Sequence, residues 1–371
     1  MKKNILFSVI LTATSLSGFA QIPAGYYDNA TGYTGYALKT KLCNIITLGH
    51  VDHGYNGLYN GYPNTDVDRY YENDGTVLDI YSEKPSSVDA YTYSYTVPAN
   101  RCGNYSTEGD CFNREHMMPQ SLFNSASPMK NDIQFVVPTD GKVNGVRDNF
   151  PYGKVNNPTW TSTNGSKLGP NASAGYSGTV FEPIDEFKGD VARTLFYFVT
   201  RYQNSVPSFS SGNIMDGTAT RGLLQWQVDL LLQWHQQDPV SQREKDRNNA
   251  AYNYQGNRNP YIDHPEYVDC IWGNTNCAPT SVATINTTNT YIDVYPNPAK
   301  DIVHLSITAN ATDALEMMVV QSVDGRVLWT KDVPKAQQYQ GQIDMSTYPS
   351  GIYILKIKTE QGLAIKKLIK E

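Results

Sequence analysis

The sequence predicts an α+β protein, in which a largely helical domain with a small strand–strand–helix core precedes a compact C-terminal β-sandwich. The chain has 371 residues, enough for about two or three domains. Hydrophobic residues make up 40% of it and charged residues 18%, which is typical of a folded protein with a sizeable core. Stretches of helical spacing occur over 190–201 and after Asp238-Pro239, whereas the last part of the chain has short apolar or alternating runs bounded by turn residues.

The N-terminus has the pattern of a secretory signal peptide over residues 1–20. Lys2 and Lys3 precede an apolar run over 5–16, and small residues end at Ala20, where we expect cleavage. A buried N-terminal helix is the alternative interpretation. Beyond this segment, no run is apolar over the roughly 18 residues that a membrane helix needs, so the sequence predicts no membrane span.

The five cysteines are consistent with export to an oxidising compartment. Cys102 and Cys111 flank a turn-rich octapeptide, and Cys270 and Cys277 flank a hexapeptide, so each pair predicts a short disulfide loop. Zinc binding is the alternative, but neither pair has the C-x-x-C spacing. Cys43 is left over and is predicted to be a small buried residue.

Composition divides the mature chain into three parts. Residues 21–277 suit one domain, and residues 278–290 are uncharged and rich in Thr, Ser and Asn, as linkers are. Residues 291–371 contain short alternating runs and an Asp324-Gly325 hairpin signal, which predict a β-sandwich.

One stretch of the middle domain concentrates residues suited to catalysis. Asn113-Arg-Glu-His116 reads as a strand end, and 133–137 reads as a second strand. Thr139 or Asp140 can cap a short helix that follows, which places Asn144 and Arg147 on one face at i and i+3.

Those side chains suit metal-assisted phosphodiester hydrolysis. Glu115 and Asn144 supply the oxygen ligands that Mg²⁺ prefers, and few protein ligands leave open positions for a substrate. His116 can act as the general base, because histidine titrates near neutrality. Neighbouring strand residues face opposite sides, so the backbone must bend at His116 for both residues to act.

The arrangement resembles the ββα-metal (His-Me finger) nucleases and, more closely, the endonuclease I family. The family blocks are matched in order by Asn113–His116, Val143–Asn149 and Gln255–Pro260. The resemblance implies a secreted, sequence-nonspecific endonuclease that acts on DNA, with RNA left open, and releases 5′-phosphorylated products.

The same resemblance implies His116 as general base, with Glu115 and Asn144 binding Mg²⁺ or another divalent cation. Arg147 is assigned to neutralising transition-state charge, because 117–131 contains only Lys130 where the family has a phosphate-binding arginine. Gln134 stands where the family usually has a histidine, which puts full activity in question.

The tail resembles the C-terminal sorting domain of the type IX secretion system. It carries Pro296-Asn-Pro298, Gly325–Trp329, Tyr348–Lys356 and a basic terminus at 366–370. The resemblance implies the type IX secretion machinery as a partner and an extracellular or cell-surface location. An ordinary β-sandwich binding module is the alternative.

Two other functions remain open at this stage. Gln134 leaves room for a catalytically impaired nucleic-acid-binding protein, and the many tyrosines leave room for a surface adhesin or glycan-binding protein. The net charge of −6 excludes a protein that coats nucleic acid by bulk charge.

Several polar residues are predicted to be structural. A helix beginning at Asp238-Pro239 carries Arg247 and Asn248, which are predicted to brace the Asn257 loop; a reach into the catalytic site is the alternative. His235 and His264 are also predicted to have structural roles.

Overall fold

A computed structural model describes residues 22–273, 277, 290–309, 313–322, 326–360 and 362–371. The predicted signal peptide and residues 278–289 of the predicted linker lie outside them. The described chain forms two compact units, one containing Gly49–Leu195 and Gln233–Asp263, the other Ala24–Leu48, Phe196–Leu232 and the residues from His264 onward. Within this part of the chain, no helix is both long and apolar enough to span a bilayer.

The protein contains helices and sheets, which confirms the α+β class. The helices are α1 (Gly35–Thr47), α2 (Leu58–Thr65), α3 (Gly141–Arg147), α4 (Lys188–Arg201), α5 (Gln225–Gln237), α6 (Gln242–Gln255), α7 (Pro260–Asp263) and α8 (Glu266–Trp272). The strands before the linker are β1 (Phe112–His116), β2 (Val136–Asp140), β3 (Trp160–Thr161), β4 (Lys167–Pro170) and β5 (Thr179–Glu182).

Strands β1 and β2 form an antiparallel pair that leads directly into α3. Phe112 lies opposite Asp140, and His116 lies opposite Val136. Asp140 ends β2 and caps α3, since its side chain accepts a 2.8 Å hydrogen bond from the Val143 amide. The predicted order of strand, strand and capped helix is therefore present.

The second strand begins later than predicted, at Val136 instead of Ile133. The amides of Phe135 and Val136 both donate to the Asp132 carbonyl, and the Gln134 amide donates to the Asp132 carboxylate. These bonds close a turn over 132–136, so Ile133, Gln134 and Phe135 are buried without being extended.

Helix α6 also begins later than predicted, at Gln242 instead of near Asp238. Ser241 and Glu244 form a reciprocal capping box, which satisfies two backbone amides at the helix start. Asp238 instead accepts a hydrogen bond from the Gly189 amide. The helix ends at Gln255, and the capping residue Gly256 has a φ of 84°, a left-handed conformation that favours glycine.

The C-terminal residues form the predicted β-sandwich. Its strands are β6 (Tyr291–Tyr295), β7 (Ile302–Thr308), β8 (Leu315–Ser322), β9 (Val327–Ala336), β10 (Gln338–Asp344), β11 (Gly351–Thr359) and β12 (Leu363–Lys370). They form sheets of order β10-β7-β6 and β12-β11-β8-β9. One core joins both sheets, with Leu305 and Ile307 from the first and Val320, Leu355 and Leu368 from the second.

Both predicted disulfides are formed. Cys102 is bonded to Cys111 and Cys270 to Cys277, which closes loops of sequence separation 9 and 7. Cys43 is a buried free thiol, as predicted.

Candidate active site

A polar cleft of about 660 Å³ lies over the end of β1 and the exposed side of α3. Its lining includes all four side chains for which the sequence predicts a catalytic or metal-binding role, namely Glu115, His116, Asn144 and Arg147. The loop closed by the Cys102–Cys111 disulfide forms part of its wall. The fold thus brings the predicted residues of β1 and α3 into one cavity.

Glu115 is held by donors that converge on one of its carboxylate oxygens. Oε1 accepts hydrogen bonds from Tyr81 at 2.9 Å and Tyr152 at 3.4 Å, and lies 3.0 Å from Nη1 of Arg147. Among the described residues, every such contact reaches Oε1, which leaves Oε2 for another ligand. Burial raises the pKa of Glu115, although Arg147 and the tyrosine hydroxyls favour the ionised form.

Arg147 connects that carboxylate to the backbone at the end of β1. Its side chain is buried, and its guanidinium donates to the carbonyls of His116 at 2.9 Å and Met117 at 2.7 Å. The guanidinium carbon also lies 4.6 Å from the ring centroid of Tyr152. A single cation therefore fixes both the Glu115 carboxylate and the backbone where β1 ends.

His116 is buried, and its ring is oriented by a backbone carbonyl. Nε2 lies 3.1 Å from the Lys130 oxygen. A carbonyl can only accept, so Nε2 carries the proton and Nδ1 of the neutral ring keeps its lone pair. Burial lowers the pKa of His116 to about 4, so the imidazole is neutral at neutral pH.

Asn144 on α3 is oriented by a residue of β1. Its Nδ2 donates a 2.6 Å hydrogen bond to Oδ1 of Asn113, which leaves its carbonyl oxygen available as a ligand. The helix cap that positions Asn144 is itself buried and fixed: the carboxylate of Asp140 also accepts from the Tyr93 hydroxyl at 2.6 Å.

Several residues of the site were not predicted from the sequence. Tyr81 and Tyr152 hold Glu115, and no motif or spacing marks either of them. Tyr55 lies with its ring centroid 3.4 Å from the guanidinium carbon of Arg114 and 4.5 Å from Nζ of Lys130. Arg114 belongs to the Asn-Arg-Glu-His motif, which was a signal that it lies beside the catalytic pair.

Gln134 does not line this cleft. Its buried amide donates to Oδ1 of Asn248 at 3.0 Å and to the carbonyl of Asn257 at 3.1 Å. Asn248 in turn donates to the carbonyl of Asn259, while Arg247 is paired with Asp66. Asn248 therefore braces the loop after α6, as predicted, and Gln134 takes part in the same network. Arg247, also predicted to brace that loop, instead binds Asp66 and the Ile133 carbonyl.

The other predicted structural residues are also paired. His235 is buried, and its Nδ1 lies 3.3 Å from Nη1 of Arg193. Nδ1 of His264 lies 3.0 Å from Oε1 of Glu266.

Comparisons with known proteins match most of the chain. Residues 34–266 match the family described as Endonuclease I, and residues 293–371 match the secretion system C-terminal sorting domain. The chain is 35% identical over 252 residues to an "Extracellular ribonuclease" of Bacillus amyloliquefaciens, which covers 67% of this chain and 78% of that protein.

Two further relatives have similar names. An "Extracellular ribonuclease" of Bacillus subtilis (strain 168) is 34% identical over 251 residues, covering 67% of this chain and 78% of the relative. An "Endonuclease-1" of Buchnera aphidicola subsp. Acyrthosiphon pisum (strain APS) is 26% identical over 171 residues, covering 46% and 58% of the two chains.

Proposed function

The chain belongs to the endonuclease I family, and from this membership we propose that it is a secreted, magnesium-dependent endonuclease that cuts DNA and RNA without sequence preference. One observation carries the proposal. Glu115 and a neutral, oriented His116 end β1 in the same cleft as Asn144, the residue presented by α3. A carboxylate, an amide oxygen and an imidazole are the groups that metal-assisted phosphodiester hydrolysis requires.

The residues of the cleft fit a hard divalent cation. Tyr81 and Arg147 donate to Oε1 of Glu115, so Oε2 remains as an oxygen ligand. Asn144 donates through Nδ2 to Asn113, so its Oδ1 remains as a second oxygen ligand. Mg²⁺ prefers such ligands and is commonly held by only one or two protein groups, with water completing its shell. When bound, the ion supplies Lewis-acid stabilisation of charge on the phosphate oxygens.

His116 is proposed to take the proton from the attacking water. Its Nε2–H is committed to the Lys130 carbonyl, so Nδ1 is the atom that accepts. As the proton arrives, the same carbonyl stabilises the charged ring, and no tautomer change is needed. The imidazole then remains aligned throughout the step, which is what general-base catalysis requires.

The two arginines of the cleft, Arg147 and Arg114, are proposed to have different roles: one positions catalytic groups and the other contacts the substrate. Arg147 is 1% exposed, and its two terminal nitrogens already bind Glu115 and two backbone carbonyls, which favours a positioning role. The predicted role of Arg147 in neutralising transition-state charge stays a prediction. We assign the phosphate contact to Arg114, which lines the cleft, with Lys130 beside it over the Tyr55 ring.

The substrate assignment rests on the backbone chemistry of nucleic acids. The groups proposed to act touch phosphate and water, which DNA and RNA share, and phosphate contacts carry no sequence information. Relatives named as an extracellular ribonuclease and as an endonuclease are consistent with a site that accepts both polymers. Hydrolysis on the 3′-oxygen side of the phosphate gives 5′-phosphorylated ends.

The C-terminal domain is proposed to address the chain to the type IX secretion machinery. Residues 293–371 match a secretion sorting domain and form the β-sandwich described above. With residues 1–20 as signal peptide and 21–277 as nuclease domain, the protein would pass through the periplasm to the cell surface or the medium.

A digest of plasmid DNA and of a structured RNA, each with Mg²⁺ and with EDTA, tests the proposal. We expect both polymers to be cut with Mg²⁺ and neither with EDTA. His116→Ala should lose about 10²–10⁴-fold in rate, the usual contribution of a general base. His304→Ala, which changes an exposed histidine of the β-sandwich, is the matched control and should cut at the wild-type rate.

Either of two results would overturn the assignment: wild-type cleavage by His116→Ala, or equal cleavage in EDTA. Binding of DNA without any cleavage would instead support the impaired binding protein. The adhesin alternative predicts neither binding nor cleavage.

A further inference from the structure

Three carboxylates converge outside the cleft, on the segment between α2 and β1. One oxygen each from Asp68, Glu72 and Glu83 lies within 4.8 Å of the other two. Asp68 is 2% exposed and Glu83 is 1% exposed, while Glu72 is half-buried. Bringing like charges together out of water is costly unless a proton or a cation compensates them.

Glu83 is the residue that points to a ligand. Its Oε1 is buried and has no hydrogen-bond partner among the residues that the structure describes. No lysine, arginine or histidine of the described chain forms an ion pair with any of the three carboxylates, whereas the buried acids Glu115, Glu244 and Asp66 are each paired with an arginine. A buried carboxylate oxygen without a donor is rare in folded proteins, and a missing ion is one of the accepted reasons for it.

The local backbone is organised so that the carboxylates face one another. Asp68 accepts the amides of Tyr70 and Tyr71 on Oδ1 and the amide of Asn73 on Oδ2. Its own amide donates to the Thr76 carbonyl, which closes the loop 68–76. Three fixed hydrogen bonds hold the Asp68 carboxylate at the base of this loop, which also carries Glu72.

We propose that Asp68, Glu72 and Glu83 form a structural calcium site, separate from the catalytic cleft. The ligands are all hard oxygens, and three carboxylates, monodentate or bidentate, can provide a large part of the 6–8 oxygens that Ca²⁺ takes. Ca²⁺ is favoured over Mg²⁺ because it tolerates irregular geometry, whereas Mg²⁺ demands a near-ideal octahedron. A cation here neutralises charge that no cationic side chain of the described residues offsets.

The electrostatics of Glu83 agree with this proposal. Burial, followed by the charges of Asp89, Glu72 and Asp68, raises the pKa of Glu83 to about 9. The neighbouring carboxylates therefore disfavour an uncompensated charge on Glu83, which a bound cation would offset.

The site is linked to the cleft through the turn that carries Glu83. The Glu83 amide donates to the Asp79 carbonyl, and the Asp79 carboxylate accepts the Asp140 amide at the start of α3. Tyr81, in the same turn, donates to Glu115. A cation that ties Glu83 to the 68–76 loop therefore stabilises the turn behind both catalytic elements.

Thermal unfolding of the full chain, with EDTA and then with 10 mM CaCl₂ or MgCl₂, tests the site. Extracellular calcium sites have dissociation constants of roughly 10⁻⁴–10⁻³ M. The CaCl₂ concentration used is about 10–100 times higher, so calcium should raise the melting temperature of the wild type by about 3–10 °C. MgCl₂ should give a smaller rise. Isothermal titration with CaCl₂ alone should show one ion more for the wild type than for Glu83→Gln.

The variants separate this ion from one in the cleft. Glu83→Gln should lose the calcium-induced rise yet melt in EDTA at or above the wild-type temperature, because it removes the repelling charge. Glu115→Gln should keep the rise, and so should Asp229→Asn, which changes an exposed acid elsewhere. If Glu83→Gln does not fold, Glu72→Gln takes its place.

The proposal is overturned if calcium leaves the wild-type melting temperature unchanged, if Glu83→Gln keeps the full rise, or if Glu115→Gln abolishes it. A site for a cation in the cleft would be tested by cleavage, so failure of one proposal does not imply failure of the other.

Discussion

Glu115 shows how single side chains prepare the cleft for a cation. Tyr81, Tyr152 and Arg147 all address its Oε1, so the carboxylate cannot rotate freely. Such fixed groups contribute most when they act inside a buried site, where water does not screen them. The hydroxyls of the two tyrosines are also only 2.5 Å apart, so they form one connected network with the carboxylate.

Tyr81→Phe should therefore reduce both stability and cleavage. Losing a buried hydrogen bond to a charged group costs about 1–3 kcal/mol of unfolding free energy. A carboxylate released from its fixed orientation should slow cleavage about 10–100-fold. Urea unfolding and plasmid cleavage measure the two effects, and Tyr33→Phe, at a residue 43% exposed, is the control. Unchanged cleavage by Tyr81→Phe would show that this contact does not position Glu115.

At the scale of elements, the disulfide loop connects β1 with α3. The loop ends one residue before β1, and its Tyr105 packs so closely over α3 that a Cβ added at Gly145 would lie 2.2 Å from the Tyr105 hydroxyl. A side chain at position 145 would therefore force the Tyr105 ring to move. The bridge consequently holds the start of the catalytic strand near the helix that carries Asn144.

Removing that bridge with Cys102→Ser/Cys111→Ser should cost about 2–3 kcal/mol of unfolding free energy, as expected for so short a loop. We also expect lower cleavage at temperatures where circular dichroism shows the fold intact. Cys270→Ser/Cys277→Ser opens a loop of similar length whose described residues do not line the cleft, so it should lose stability without losing cleavage. Equal cleavage by both double variants would refute the tethering role.

Helix α1 contains a buried cation that makes stability depend on pH. Lys39 is 0% exposed, and its Nζ donates to the Ala219 carbonyl at 2.8 Å. Burial lowers the pKa of Lys39 to about 8, against about 10.4 in an unfolded chain. Between those values the unfolded state binds more protons, so this residue makes the fold more stable as pH rises.

Lys39→Met should remove this dependence. The unfolding free energy of the wild type relative to Lys39→Met should rise by about 3 kcal/mol between pH 7 and pH 10.5. Urea titrations at several pH values measure it, with Lys245→Met, at an exposed position of α6, as the control that shows no such change. A constant difference would show that Lys39 keeps its ordinary affinity for protons.

Much of the fold and of the cleft could be predicted, because the relevant patterns lie within short continuous stretches of the sequence. The Asn-Arg-Glu-His run, the Asp140 cap and the alternating tail are local patterns, and each local preference agrees with the final structure. Tyr81, which binds Glu115, and Tyr55, which lines the cleft, could not be predicted, because they lie in a turn and in a single 3₁₀ turn that are too short to show periodicity. The start of α6 could have been: Ser241-x-x-Glu244 is a capping-box signature in the sequence.

At the scale of the whole molecule, the charge of −6 means that attraction to a polyanion must come from a few local cations. Of the described cations that line the cleft, Arg147 is paired with Glu115, which leaves Arg114. Lys130 does not line the cleft but lies beside Arg114 over the Tyr55 ring. Binding should therefore be modest and should fall only gradually as salt increases.

The salt dependence can be measured by fluorescence anisotropy with a short DNA duplex in EDTA, which prevents cleavage. Two phosphate contacts predict a slope of log affinity against log salt of about −2. Arg114→Gln removes one of these contacts, so its slope should be less negative than that of the wild type by about 1. A wild-type slope steeper than about −5 would instead reveal a wide basic surface elsewhere on the protein.

The Cys102–Cys111 bridge has a consequence for the cell that makes this enzyme. Thiols stay reduced in the cytosol, so a newly made chain meets its own genome and transcripts before the loop beside β1 is closed. Oxidation after export then completes the tether between strand and helix. We expect protein prepared under reducing conditions to be a latent nuclease that gains activity on oxidation, so that maturation and self-protection depend on the same covalent bond.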